Sequence, residues 1–78
     1  MTHKLKILPE YYEQVLSGEK KFELRKNDRD YKTGDMLRIR EWNKTYYTGR
    51  TFICEIKYIL KDCPDYGLKN GFVILGIA

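Results

Sequence analysis

The stretch Ser17-Gly18-Glu19-Lys20-Lys21-Phe22-Glu23-Leu24-Arg25-Lys26-Asn27-Asp28, SGEKKFELRKND, carries the chain from one periodicity to another. Before it, Leu8, Tyr12, Val15 and Leu16 follow helical spacing and form one apolar stripe. From Lys21 to Arg25 the period is two: Phe22 and Leu24 face one way, and Lys21, Glu23 and Arg25 face the other. Gly18 marks the change, because glycine tolerates the left-handed conformation that closes a helix. The stretch is therefore a helix exit followed by a strand. Lys20 sits in the turn between them, free to lean over the charged face.

The flanking segments extend this pattern. His3 to Leu8 reads as a strand with Leu5 and Ile7 on one face and Lys4 and Lys6 on the other. Pro9 opens the helix, since its fixed φ and missing N–H suit a first helical position. After the strand, Asn27 to Asp35 is polar and ends in Gly34-Asp35, a turn signal, so it forms a loop. Met36 to Trp42 is a strand carrying Leu37 and Ile39 on one face and Arg38, Arg40 and Trp42 on the other. A hairpin loop over Asn43 to Gly49 leads to a long strand, Thr51 to Leu60, with Phe52, Cys54, Ile56, Tyr58 and Leu60 alternating. A loop over Asp62 to Gly71 precedes Phe72 to Ile77, a near-continuous apolar run that reads as a central strand buried on both faces.

Five strands and one helix in 78 residues make one small α+β domain, residues 1–78. Closing the sheet into a barrel removes exposed edges, and the helix then plugs one end. The expectation is a five-stranded β-barrel capped by one short helix. With 42% hydrophobic residues, including seven Tyr, three Phe and one Trp, the chain can build a core. No apolar run is long enough to cross a bilayer as a helix, and the N-terminus lacks a signal core, so a cytoplasmic location is expected. Cys54 and Cys63 are too few for a disulfide scaffold, and no second pair or His cluster completes a zinc site, so no metal and no cofactor is expected.

Lys and Arg number 15 against 11 Asp and Glu, and the excess is concentrated. Residues 36–50 hold Arg38, Arg40, Lys44 and Arg50 against Glu41 alone, Lys4 and Lys6 precede them, and residues 51–78 balance to zero. An anion-attracting face therefore belongs to the first two-thirds of the chain. Trp42 near Arg38 and Arg40 offers a flat ring beside cations, suited to base stacking or to capping the barrel. His3, the one histidine, lies near the end of the first strand and reads as a frayed surface residue in preference to a catalytic base. Asp28, Arg29 and Asp30 either solvate their loop or close it over a ligand, and Tyr46 and Tyr47 either pack or bind.

Lys20, Glu23 and Arg25 form the candidate site. Arg25 can fork hydrogen bonds onto a phosphate or carboxylate, Lys20 can act as a point charge, and Glu23 can orient either or accept a proton. The spacing Gly18-x-Lys20-x-x-Glu23-x-Arg25 resembles the GxKxxExR signature of the ASCH domain family. His3-Lys4-Leu5-Lys6-Ile7, ELRKNDRDYKTGD, Arg40-Glu41-Trp42, Tyr47-Thr48-Gly49-Arg50 and Tyr66-Gly67-Leu68 are similar, in the same order, to segments of the DUF3850 family of bacterial and phage proteins. The resemblance implies a PUA-like barrel whose motif lines a cleft beside the first helix, with RNA or a nucleotide as ligand.

Three functions follow as expectations. The first is an RNA- or modified-nucleotide-binding module, with Lys20, Glu23 and Arg25 holding the ligand and Lys6, Arg29, Arg38, Arg40 and Trp42 extending a nucleic-acid surface. The second is a metal-independent hydrolase of RNA or a nucleoside, with Lys20 and Glu23 as acid and base. One amidohydrolase branch of ASCH relatives uses a Lys, Thr and Glu set; Lys20 matches its lysine, but Glu23 stands where it has threonine, and no later acid aligns. The third is a phage-type module whose charged face meets a protein partner. None of the three involves a membrane.

Overall fold

The computed structural model describes residues 1–78. Strand β1 (Thr2–Ile7) leads into helix α1 (Pro9–Ser17), then β2 (Phe22–Lys26), β3 (Met36–Trp42), β4 (Tyr47–Leu60), a short 3-10 turn (Pro64–Tyr66) and β5 (Phe72–Ile77). The helix begins on Pro9 and ends at Gly18, whose φ of 86° is left-handed and whose N–H is donated to the Val15 carbonyl. Five strands and one helix match the expected α+β class.

The strands form one mixed sheet in the order β1-β3-β4-β5-β2. β1 runs parallel to β3, and every other pair is antiparallel. The sheet does not close, which corrects the expected barrel: β1 and β2 are its two edges. Two arginines span the space where a β1–β2 ladder would run. The Nη2 of Arg25 donates to the Lys6 carbonyl at 2.9 Å, and the Arg29 guanidinium donates to the Lys4 carbonyl. A guanidinium placed between two edges holds them wider than the roughly 4.8 Å of paired strands. The edge carbonyls are thus satisfied by side chains in place of a ladder.

The core gathers on the inward faces of the strands, under α1. Leu37, Ile39, Ile56 and Leu75 are 0% exposed, and Leu5, Val73, Tyr12 and Val15 pack around them. Each fully buried aliphatic side chain contributes about 1.5 to 3 kcal/mol relative to exposure. β5 is flanked by β4 and β2, but it alternates: Val73, Leu75 and Ile77 are buried, whereas Phe72, Ile74 and Gly76 are half-buried. The expected burial on both faces fails because the one helix covers only the inner side. In β4 the regular alternation also fails beyond Ile56, where a register shift before Tyr58 turns Ile59 toward the core and leaves Tyr58 65% exposed. Leu16, assigned to the helix stripe, is 50% exposed, since Tyr12 and Val15 suffice to meet the sheet.

His3 is not a frayed end residue. It is buried, its Nε2 lies 2.8 Å from Asp35 Oδ2, and its ring meets the edge of Tyr31 at 4.8 Å between centroids. Asp35 also accepts from the Lys32 amide at 3.1 Å and from the N-terminal ammonium at 3.2 Å. The His3 hydrogen bond, reinforced by these donors against the opposing effect of burial, lowers the Asp35 carboxyl to about 2. His3 shares the buried face of the sheet with its β3 partner Leu37, which is fully buried.

Candidate functional site

In β2 the charged face points inward. Glu23 is 3% exposed, while Phe22 and Leu24 stand 48% and 56% exposed. A carboxylate so placed needs charged partners, and it has two. Its Oε1 accepts from Lys20 Nζ at 2.6 Å, and its Oε2 accepts from Arg25 Nε at 3.1 Å and Nη2 at 3.0 Å. The helix exit at Gly18 sets Lys20 back over the strand, where it also donates to the Phe22 carbonyl at 3.0 Å. The strand period of two puts Arg25 on the same face as Glu23.

This trio lines a cleft of about 750 Å³ between α1, the end of β1 and β2. Ile7, Leu8, Tyr11, Phe22 and Leu24 supply its apolar walls. The Lys20 ammonium lies 5.0 Å from the Phe22 ring centroid and 5.6 Å from that of Tyr11. Charge counting gives the trio a net of +1. Donor counting is more specific. Lys20 uses two of its three N–H groups on Phe22 and Glu23, and Arg25 uses Nε and both Nη2 hydrogens on Glu23 and Lys6. One N–H on Lys20 and both on Arg25 Nη1 are left without a protein acceptor. The cleft therefore offers three charged donors beside a flat apolar wall.

Lys6 joins this cleft to the outward face of β1 and β3. Its carbonyl accepts from Arg25, it lines the cleft, and its ammonium sits 4.2 Å from the Trp42 ring centroid. The β1–β3 register sets Lys4 beside Arg38 and Lys6 beside Arg40, and the Arg40 guanidinium lies 3.7 Å above the Tyr47 ring. None of Lys4, Lys6, Arg38 and Arg40 has an acidic partner; all nine ion pairs lie elsewhere. Of the residues expected to extend the surface, Lys6, Arg38, Arg40 and Trp42 come together here, while Arg29 lies at the β1 edge. Trp42 is half-buried beneath Lys6, so one side of its indole is already occupied.

Sequence reasoning missed the cleft walls. Tyr11 lies one position off the apolar stripe, which was the available signal that it faces away from the core. Phe22 and Leu24 carried a signal too: if Glu23 and Arg25 face a ligand cleft, their neighbours must face out. Also missed was the role of Glu41, the lone acid among the basic residues. It is buried, accepts from Thr48 Oγ1 at 2.6 Å and from Arg50 Nη1 at 3.4 Å, and Arg50 in turn pairs with Glu13 and lies 4.6 Å over the Tyr12 ring. This cluster fastens the β3–β4 hairpin to α1. Cys54 is buried near Glu23, and burial, with that charge as a smaller contribution, pushes its thiol up to about 11. No three His, Cys, Asp or Glu side chains are grouped to hold a metal ion, and no helix is long and apolar enough to cross a membrane.

Among known protein families, residues 2–77 match the family described as a domain of unknown function, DUF3850. Over 48 residues the chain is 44% identical to an uncharacterized 12.9 kDa protein in the GpA 3' region of Escherichia phage P2. That match covers 62% of this chain and 44% of the phage protein, so the chain is similar to less than half of the length of this curated relative.

Proposed function

The chain belongs to the DUF3850 family, and from that premise we propose that it binds single-stranded RNA or a modified nucleotide in the cleft of Lys20, Glu23 and Arg25. One observation carries this reading. A carboxylate 3% exposed holds two cations at the floor of a cleft while three of their N–H groups stay unused. A phosphate has the oxygens to accept those donors, and Tyr11 supplies a ring against which a base can stack. Beyond the cleft, Lys6, Arg38, Arg40 and Trp42, together with Lys4, continue the track along β1 and β3 for a longer strand. Arg29, bound to the Lys4 carbonyl, holds the edge that this track follows.

Side-chain hydrogen bonds from Arg25 and Arg29 to the β1 edge and the GxKxxExR spacing support placing the domain within the ASCH and PUA-like superfamily. In that reading the arginine-bridged seam takes the place of the missing barrel ladder. The alternative of a hydrolase, with Lys20 and Glu23 as acid and base, meets a geometric obstacle. Three of the four lone-pair sites of Glu23 already accept charged donors, one on Oε1 and two on Oε2, so a single site on Oε1 is left to take a proton. Binding makes no use of that site.

Titration of a fluorescent single-stranded RNA at two salt concentrations tests the proposal. With four to six cations engaged, the logarithm of affinity falls with that of salt at a slope of about −3 to −4, taking about −0.7 per phosphate contact on single strands. Arg25→Ala weakens binding about tenfold or more, and the paired variant Arg38→Ala/Arg40→Ala flattens the slope by about 1 or more. Absent binding, or affinity indifferent to both salt and Arg25→Ala, sinks the reading.

A further inference from the structure

The outward face of β2, β5 and β4 has no covering element, because the single helix lies on the other side. Register places its side chains in rows: Phe22, Gly76 and Tyr58 in one, Leu24, Ile74 and Leu60 in the next, and Lys26 beside Phe72 in the third. Phe22, Leu24, Tyr58 and Leu60 are 48%, 56%, 65% and 39% exposed. A contiguous apolar sheet face of this kind marks an interaction surface.

Gly76 sharpens the point. It sits inside a strand without a left-handed φ, and a Cβ built on it would meet Tyr58 only at ordinary contact distances of 3.5 to 3.8 Å. The fold therefore does not require glycine there, although glycine weakens a strand interior. A residue without a side chain at such a position suits close approach from outside.

We propose that this face packs against a second copy of the chain, about a two-fold axis lying in the interface along the row Leu24–Ile74–Leu60. Along β5 the outward residues run Phe72, Ile74, Gly76, from a large side chain to none. The two-fold reverses that gradient, so Phe72 of each copy fills the gap over Gly76 of the other while Ile74 meets Ile74. Self-complementarity of this sort is what an isologous interface needs. Charge agrees with it. Lys26, which has no ion pair, is brought over Phe22 of the second copy, a cation facing a ring, and no carboxylate stands in the three rows to oppose its mate. The sheets then stack about 10 Å apart, as in aligned sheet packing.

Sedimentation equilibrium from low to high micromolar protein tests this, with no RNA present, so its failure leaves the RNA reading standing. The expected result is a reversible dimer whose dissociation constant rises at least about tenfold in Gly76→Leu and in Leu60→Glu, with melting curves showing that both fold. In a Cys63→Ser background, Ile74→Cys, on the axis, is joined into a covalent dimer by a short bifunctional thiol reagent that spans the roughly 10 Å between stacked sheets, and Arg38→Cys is not. Should Gly76→Leu misfold, Leu60→Glu and the cross-link still decide. A protein that stays monomeric throughout, a dimer indifferent to Gly76→Leu and Leu60→Glu, a cross-link formed through Arg38→Cys instead of Ile74→Cys, or a monomer that uses this face for a different protein overturns the proposal.

Discussion

Glu23 and Asp35 are the two carboxylates on which single substitutions are most informative, because each is surrounded by donors that were chosen by the fold. Replacing Glu23 with Gln keeps the shape, removes the charge and turns one of the two acceptor oxygens into an NH2 donor that must face Lys20 or Arg25. Their side chains are 18% and 24% exposed, so water screens part of the penalty. The expected cost is about 2 kcal/mol, read as a lower denaturant midpoint with an unchanged slope, together with weakened RNA binding. An unchanged midpoint would remove Glu23 from the fold's supports. For Asp35 the lowered folded-state carboxyl, at about 2, means that its contribution is fully present above the ordinary carboxylate range near 4. It is lost as pH falls from there through about 2, as the proton displaces the interaction with His3. Thermal melts of wild type and Asp35→Asn should therefore converge across that acid window; curves that stay parallel contradict the assignment.

At the scale of elements, the β3–β4 hairpin shows how local chemistry and packing divide the work. Asn43 Oδ1 accepts from the Thr45 and Tyr46 amides at 3.0 Å each, which folds the turn, and Lys44 sits there at a φ of 80°. A left-handed conformation costs a residue with a Cβ roughly 1 to 2 kcal/mol. Lys44→Gly removes that strain while giving the unfolded chain more freedom, and the expected balance is a rise in melting temperature of a few degrees. A fall would show that the Lys44 side chain has a contact of its own. Below the turn, Glu41, Thr48 and Arg50 anchor the hairpin to α1, so this element is held at both ends while its outward face stays free for Arg40 and Tyr47.

For the molecule as a whole, the open seam between β1 and β2 decides where the cleft lies. Had the edges paired, the space lined by Ile7, Leu8, Glu23, Leu24 and Arg25 would have been filled by a ladder. Arg29 and Arg25 hold the seam at its width. Arg29→Ala is expected to change stability by less than about 1 kcal/mol, since the freed Lys4 carbonyl can be hydrated at an exposed edge. Amide exchange along β1 should nevertheless quicken relative to β3 and β4, and equal protection in both proteins would mean that the seam does not depend on this contact.

β4 begins at Tyr47, inside the expected hairpin loop. Most elements were nevertheless legible in the chain: Pro9 and Gly18 bracket the helix, period-two patterns locate β1 to β3 and most of β4, and an apolar run locates β5, because these signals act over a few residues. So was the membership of the cleft trio, since a turn followed by a strand places Lys20, Glu23 and Arg25 on one side without help from distant residues. What pattern could not supply was which side faces in. That Glu23 is buried while Phe22 and Leu24 are exposed depends on Lys20 and Arg25 neutralising the carboxylate, and on the core being filled from β3 and β5. Burial of His3 and the unpaired edges of β1 and β2 likewise depend on contacts between segments far apart in sequence. Alternation fixes which residues share a face; only the assembled sheet, by bringing partners and charges together, decides which face is the interior.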